Sequence, residues 1–362
     1  MNPRFPSLAA LTLAAACSHR PPEDFAPDPG LLARIRSIEM RAPSAACPGQ
    51  SFAASYSAVL DDGSRIPFAT RYDRKHPPRL HVVFLDRTSP EAIPLEDGGW
   101  TAERDPLASA LRGFHLYAAL RDRPAVADSV TLAPIYDCLR HTFTFTGDRS
   151  QDGPDVVVRL GIVRSPFVNR LLIAQIEVAD APPLLVFADA AVVPPSDWLI
   201  LTSAGGRGVR GPPGYGGAPG AVGAAGCPGG DGLPGQRGGD GGRGGNGGRG
   251  GRFTIMTPAE EPFLAGLVDA RVPGGGPGQG GPGGHSGAGG HGGAGTVVDG
   301  KVCAAGLDGA AGQPGNEGLP GSEGTPGGRP QILTLPQRDV FGPRAPAELF
   351  ELLDFARGRR RP

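Results

Sequence analysis

Net charge, aromatic residues and long apolar runs are all scarce in this sequence of 362 residues. The formal net charge is −1, so no global field attracts nucleic acid or a charged membrane. Aromatic rings that stack on bases are nearly absent around RGGNGGRGGR (243–252), so this stretch does not predict RNA binding. Beyond the N-terminus, no segment is long and apolar enough to predict a membrane span.

Catalytic motifs and metal-ligand spacings are also missing. The sequence contains no GxSxG, HExxH or P-loop motif. A GxGxxG match within 205–211 precedes Pro212 and Pro213, which exclude the helix that a dinucleotide site requires. His285 and His291 lie two triplets apart, about 19 Å along an extended helix, so they cannot share one metal ion. We therefore predict a protein that is not an enzyme and that holds no metal and no cofactor.

Glycine and proline are abundant instead, and glycine divides the chain into two parts. Gly accounts for 60 residues and Pro for 40, and 49 of the glycines lie between Gly205 and Gly328. The first half has the composition of an ordinary globular protein, while the second half has that of a collagen-like or low-complexity segment. The length itself favours about two domains.

The N-terminus has the features of an export signal. Arg4 precedes an apolar stretch over 5–16 that is too short to span a bilayer, and the stretch LAAAC ends at Cys17. This ending resembles the lipobox of bacterial lipoproteins, although Ala14 stands where that family prefers Leu. The resemblance implies cleavage before Cys17 and a lipid on its thiol. A secretory signal followed by an incidental cysteine is the alternative.

The cysteine count agrees with export. If Cys17 carries lipid, four cysteines remain, two in each half of the chain. Pairing within each half, Cys47 with Cys138 and Cys227 with Cys303, leaves none over. Both bridges would persist in an oxidising compartment. Four free thiols are the alternative.

Residues 31–203 carry the pattern of a β-protein. HTFTFT (141–146) and AQIEVA (174–179) alternate between apolar and polar residues, as half-buried strands do. Short runs rich in β-branched and aromatic residues predict further strands: RLHVVFL (79–85), DVVVRLGIV (155–163), PLLVFA (183–188) and WLILTS (198–203). DDGS (61–64) predicts a hairpin turn, and 105–120 has room for one short helix. The spacing of strands and turns predicts an Ig-like β-sandwich.

Glycine recurs at every third position in three stretches of the second half. They run from Gly205 to Gly250, from Gly275 to Gly293 and from Gly306 to Gly327. Two inserts interrupt them: 252–273, which contains a short strand, and 296–303, where Asp299-Gly300 predicts a hairpin turn.

Two architectures accommodate such triplets. A collagen triple helix needs glycine only at its crowded axis, and short, interrupted tracts with Gly-Gly-x repeats fit it poorly. A bundle of polyglycine-II helices needs glycine on two faces of a central helix and on one face of an edge helix. GGDGGRGGNGGRGG (238–251) has the first pattern, and 306–327 has the second. The region resembles the polyglycine-II sandwiches of glycine-rich antifreeze proteins and phage tail adhesins, with the collagen trimer as the alternative.

The C-terminal stretch PAELFELLDFARGRRRP predicts an amphipathic helix over 346–357. Pro346 suits the first helical position and Gly358 suits the residue after the helix. The predicted fold class is therefore mainly β, with a short C-terminal helix. The predicted domains are a signal peptide (1–16), a lipidated Cys17 with a Pro-rich tether (17–30), a β-sandwich (31–203), a glycine-repeat module (204–330) and a C-terminal segment (331–362).

The whole chain resembles bacterial collagen-like or glycine-rich surface lipoproteins. The resemblance implies a non-catalytic structural or adhesive protein, held by its lipid on the extracellular side of the outer membrane. It would contact a cell-surface protein or a glycan through loops exposed at the tip of the glycine bundle, such as 257–266, and it would not bind nucleic acid. A monomer is favoured, or a homotrimer if the triplets form collagen. The alternative functions are a glycan- or ligand-binding sandwich on a glycine-rich spacer, and a collagen-like matrix component.

Overall fold

The computed structural model describes residues 21–194 and 198–358, and it is mainly β with a few short helices. Its chain divides into two compact units. The first unit comprises the described residues up to Leu139, then 164–169, and those from Asp354 onward. The second unit comprises 140–163 and 170–353, so it holds both β-strands and the glycine-rich part. These units group residues by contact, and the predicted domain boundaries stay predictions.

The first unit is built from small sheets with strand orders β1-β4-β5, β2-β10-β9-β6 and β3-β8-β7. Its elements are α1 (Pro29–Arg34), β1 (Ile35–Arg41), β2 (Ala45–Ala46), β3 (Ser51–Phe52), β4 (Ser55–Leu60), β5 (Arg65–Pro67), β6 (Leu85–Thr88), β7 (Ala92–Pro94), β8 (Trp100–Ala102), α2 (Pro106–Ala110), β9 (Phe114–Leu120) and β10 (Arg123–Pro134). The predicted hairpin turn joins β4 to β5, with Gly63 at a φ of 80°. The predicted short helix is α2, which begins after the capping side chain of Asp105.

One predicted strand of this unit is wrong. In RLHVVFL (79–85), residues Val82–Phe84 form a 3₁₀ turn, and β6 begins only at Leu85. The side chain of His81 accepts a hydrogen bond from the main-chain N–H of Val83, which caps that turn. This local bond competes with the extended conformation that the β-branched residues favour.

A buried aromatic pair and a disulfide stabilise the first unit. The indole of Trp100 donates to the hydroxyl of Tyr56, which donates to the carbonyl of Gly98, at 2.8 and 2.9 Å. Burial raises the pKa of Tyr56. Cys47 is bonded to Cys138 with their Cα atoms 6.4 Å apart, as pairing within each half predicts. The Ig-like topology stays a prediction.

The second unit begins with two sheets that share one hydrophobic core. One sheet has the order β11-β15-β17 and the other β14-β13-β12-β16-β20, and β18 pairs with β19 in a separate hairpin. The elements are β11 (Thr142–Thr146), β12 (Val156–Val163), β13 (Leu171–Val178), β14 (Leu184–Asp189), β15 (Leu199–Ala204), β16 (Phe253–Pro258), β17 (Val268–Arg271), β18 (Val297–Val298), β19 (Lys301–Val302), β20 (Gln331–Leu335) and α3 (Gln337–Val340). Helix α4 (Ala347–Ala356) lies where the sequence predicts an amphipathic helix, with Leu349, Leu352 and Leu353 buried.

Strand β13 is buried on both faces, whereas its alternating sequence predicts one solvated face. Gln175 and Glu177 lie on the face that the pattern assigns to solvent. Glu177 accepts from the guanidinium of Arg159 and from the amide of Gln175, each at 2.7 Å. Arg159 also donates to the carbonyl of Val340, at 2.7 Å, so the segment that contains α3 covers this face. The polar residues at these positions therefore form a buried hydrogen-bonded network. A solvent-exposed face would carry polar residues at the same positions, so the alternating sequence pattern is the same in both cases.

Four extended glycine segments grow directly from these strands. The first (205–226) follows β15, the second (229–251) precedes β16, the third (274–295) follows β17 and the fourth (306–327) precedes β20. β15 pairs with β17 in parallel, and so do the first and third segments that continue them. β16 pairs with β20 in parallel, and so do the second and fourth segments. The sheets therefore set the order of the glycine segments.

Main-chain hydrogen bonds of 2.7–3.1 Å at every third residue join the four segments. The second segment donates from two glycine-rich rows. Its Gly229 row donates to the fourth segment and its Gly230 row to the first. The third segment donates to the second and accepts from the first and the fourth. The second and third segments thus have three neighbours each, while the first and fourth have two.

Glycine is found without exception where a side chain would strike a neighbouring carbonyl. This holds for every third residue from Gly205, Gly229, Gly275 and Gly306 along the four segments. A Cβ atom built at Gly208, for example, would overlap the carbonyl oxygen of Gly245. Because the segments lie this close together, their main-chain N–H and C=O groups bond to one another although the segments are neither α-helices nor β-strands.

One row of the second segment tolerates side chains, and there residue sizes match across the contact. Leu233 replaces glycine in the Gly230 row and donates to the carbonyl of Ala221, a small residue. Gly242 of the same row donates to the carbonyl of Pro212, and a Cβ atom at Gly242 would lie 2.6 Å from the proline ring. A large residue on one segment therefore faces a small residue on the other.

This complementarity of residue sizes predicts that a second substitution can recover the stability lost by a first. We expect Gly242→Leu to destabilise the second unit by about 1–3 kcal/mol through overpacking against Pro212. Adding Pro212→Ala should recover more than half of that loss, because the pair then copies Leu233 and Ala221. Chemical denaturation of the four members of this double-mutant cycle measures the coupling. Additive effects would contradict the proposed contact.

Candidate functional site

The outward side chains of the second segment form one continuous row at every third residue from Asp231 to Arg252. Three members of this row accept hydrogen bonds from main-chain N–H groups of the fourth segment. The pairs are Asp231 with Leu307, Asp240 with Asn316, and Asn246 with Ser322, at 2.7, 2.7 and 2.9 Å. These side chains therefore add hydrogen bonds to N–H groups of the fourth segment, which is an edge segment of the bundle.

The other charged members of this row are arginines. Arg237 pairs with Asp240 at 2.9 Å. Arg243 approaches the carbonyl of Pro320 at 3.4 Å. Arg249 and Arg252 occupy the end of the row nearest the sheets, where the segment meets β16.

A cleft of about 390 Å³ lies at this end of the bundle, within the second unit. It is lined by three arginines, two aspartates, one glutamine and four glycines: Arg249, Arg252, Arg329, Asp152, Asp155, Gln331, Gly153, Gly250, Gly251 and Gly328. Asp152 accepts from the main-chain N–H of Arg249 at 2.8 Å. The cleft therefore combines guanidinium donors with carboxylate acceptors.

Sequence reasoning missed this juxtaposition. Nothing in the linear sequence connects the acidic stretch DRSQDGPD (148–155) with Arg249. The connection comes from main-chain bonds, in which Ser150 donates to the carbonyl of Arg207 and Gly153 to that of Arg249.

The opposite end of the bundle is a disulfide-bonded tip with an exposed apolar hairpin. Cys227, in the turn between the first and second segments, is bonded to Cys303, which precedes the fourth. β18 and β19 are joined by Asp299 and Gly300, both at positive φ, as the sequence predicts. The three valines of the hairpin, Val297, Val298 and Val302, are 62%, 49% and 82% exposed.

The loop 257–266 does not lie at the tip, so its predicted place is wrong, while its role in contact stays a prediction. Residues 257 and 258 belong to β16, and Pro262–Leu267 form a 3₁₀ turn. Leu264 and Ala265 are buried in the core between the two sheets. Leu264 and Ala265 therefore serve packing at the sheet end, whereas Phe263 of the same insert is exposed.

One histidine of the third segment approaches an acidic residue of the fourth. His291 lies 3.5 Å from the carboxylate of Asp308 on the fourth segment. The main-chain N–H of Gly292 and the ring of His291 both lower the pKa of Asp308. No cluster of three or more metal-ligating side chains occurs among residues 21–194 and 198–358.

The remaining predicted sites are the four cysteines of the two disulfides and the lipidation site at Cys17. Both predicted disulfides are present, which gives the pairing of Cys47, Cys138, Cys227 and Cys303. Cys17 and the signal peptide lie outside the described residues. Within the part of the chain that the structure describes, no helix has the length and apolarity of a membrane span.

Comparison with protein-family models finds no match. Searches among curated proteins and among solved structures likewise find no match. The function is therefore argued from the geometry of the bundle.

Proposed function

We propose that the four glycine segments form a polyglycine-II bundle within a single chain. The hydrogen bonds between the segments support this architecture, because two rows of the second segment donate to two different segments, the Gly229 row to the fourth and the Gly230 row to the first. The division between segments with glycine on two rows and segments with glycine on one row supports it as well. A collagen trimer uses one glycine row per chain at a common axis, and it leaves the second glycine of each Gly-Gly pair without a role.

Light scattering on a sizing column tests this architecture through the mass of the full chain in detergent. The bundle predicts the mass of one chain once the detergent contribution is subtracted. The mass of three chains, lost in one cooperative melt, would establish the collagen alternative.

We further propose that the chain is an exported, lipid-anchored and non-catalytic surface protein with a structural or adhesive role. The observation that carries this proposal is a bundle that is fixed to the sheets at one end and presents an exposed hairpin at the other. Two disulfides support an oxidising compartment. A hydrogen-bonded rod with a disulfide at its tip is suited to holding a contact surface away from a membrane.

Two variants in bacterial cells that express the protein test this role. Radiolabelled palmitate should be incorporated at Cys17, and Cys17→Ser should release the protein from the membrane fraction. Replacing the tip valines with serine should reduce attachment of the cells to their target surface while leaving surface display unchanged. Attachment that is equal for wild type and for both variants would reject the adhesive role.

A further inference from the structure

We propose that the cleft at the sheet end of the bundle binds an acidic polysaccharide through its uronate-type sugar units. This inference goes beyond the proposed adhesive role, because the cleft lies at the end of the bundle opposite the tip. The arginine strip, defined as Arg243, Arg249, Arg252 and Arg329, supplies the cationic side of the site. Three of its four members line the cleft.

The geometry of the segments places the arginines of the strip in a line. Arg243, Arg249 and Arg252 occupy one row of the second segment, so their side chains leave the same side of the extended helix. Neighbouring positions of this row are about 9 Å apart. Arg329 follows the fourth segment, which runs parallel beside the second. The basic groups therefore form a line that a chain-like anion can follow.

The guanidinium groups of the strip have no ion-pair partner among residues 21–194 and 198–358. Among the residues that the structure describes, no carboxylate lies within 4.0 Å of them, whereas Arg237, Arg271 and Arg159 each have such a partner. An unpaired guanidinium at a cleft is suited to two parallel hydrogen bonds with a carboxylate. The strip thus offers several such positions in sequence.

The two aspartates of the cleft select among anions. Asp152 uses one oxygen to accept from Arg249, and Asp155 lies on the same lining. Carboxylates repel a ligand that presents only negative charge, but they accept hydrogen bonds from hydroxyl groups. A uronic acid unit carries a carboxylate for the arginines and hydroxyls for the aspartates. Both kinds of lining residue are then satisfied by one ligand.

An exposed glycine and the lack of rings support a sugar over a single-stranded nucleic acid. Gly328 is exposed on the lining of the cleft, so a sugar ring can approach its main chain closely. The residues that line the cleft include no aromatic side chain. Single-stranded nucleic acid gains much of its affinity by stacking bases on such rings.

Binding of polygalacturonate to the full, oxidised chain in detergent tests this site by calorimetry. We expect binding that weakens with added salt, and a loss of at least tenfold in affinity for Arg249→Gln combined with Arg252→Gln. Arg207→Gln with Arg210→Gln is the matched control, because it removes equal charge from the outward side of the first segment. We expect this control to change the affinity by less than twofold.

Several results would overturn the inference. They are no binding by the wild-type chain, an equal loss in both double variants, or tighter binding of poly-dT than of polygalacturonate. Dextran sulfate, which carries sulfate groups and no carboxylate, serves as the sulfated comparison, and a clear preference for it would reject the uronate assignment. The assay uses neither cells nor a membrane. A failure here leaves attachment through the tip intact, and a failure of attachment leaves this binding result intact.

Discussion

Gly284→Ala is expected to lower the free energy of unfolding of the second unit by about 3 kcal/mol or more. Gly284 lies in the third segment, and its added Cβ atom would overlap the carbonyl oxygen of Tyr215. Main chain, unlike the end of a flexible side chain, cannot move aside without breaking the bonds between segments. The same overlap recurs along the row, so the local structure has no room to absorb it.

Gly276→Ala in the same segment is the matched control. No atom lies within 4 Å of the Cβ position at Gly276, which is on the outward row. We expect this substitution to be neutral or to stabilise by up to about 1 kcal/mol, because it restricts the unfolded chain. Thermal unfolding followed by circular dichroism compares the two variants with wild type. Equal effects would show that the segments are not packed as described.

Removing the tip disulfide should loosen the bundle from the tip inward. The bond between Cys227 and Cys303 closes a loop with a sequence separation of 76 residues. Loss of a cross-link of this length costs about 4 kcal/mol in the chain-entropy model. We expect Cys227→Ser with Cys303→Ser to lower the stability of the second unit by an amount of this order.

Amide hydrogen exchange shows where the loosening occurs. Gly223 and Gly293 donate near the tip, and their amides should exchange much faster in the variant than in wild type. Gly208 and Gly247 donate near the sheets, and their amides should change little. Cys47→Ser with Cys138→Ser is the control, since that bond lies in the first unit. Amide exchange that becomes faster by the same factor along the whole bundle, or does not change, would contradict the claim that the tip disulfide stabilises the tip end of the bundle.

The periodicity of glycine predicts much of the second half, because it follows directly from contact geometry. A residue that faces a neighbouring main chain must lack a Cβ atom, so the number of glycine rows indicates the number of neighbours. The turn at Cys227 cannot be predicted from the periodicity of glycine. The triplet phase continues from Gly205 to Gly250 without a break, yet the chain reverses between the first and second segments. Triplet spacing carries no signal for direction.

Other features depend on contacts between residues that are distant in sequence. Gln175 and Glu177 follow the polar positions of an exposed strand, but Arg159 and the segment around Val340 bury them. Asp152 meets Arg249 only because the loop before β12 bonds to the base of the bundle. Hydrophobic patterning shows which residues are polar, and it does not distinguish a solvated polar face from a buried network.

Residue-resolved amide exchange in the second segment tests the central claim most directly. The bundle predicts protection of both glycines in the pairs Gly241-Gly242 and Gly244-Gly245, because each N–H donates to a different neighbouring segment. The amide of Arg243, between these pairs, should exchange fast. Protection of only one glycine in each pair would contradict the account, since a collagen triple helix turns a single glycine row toward its axis.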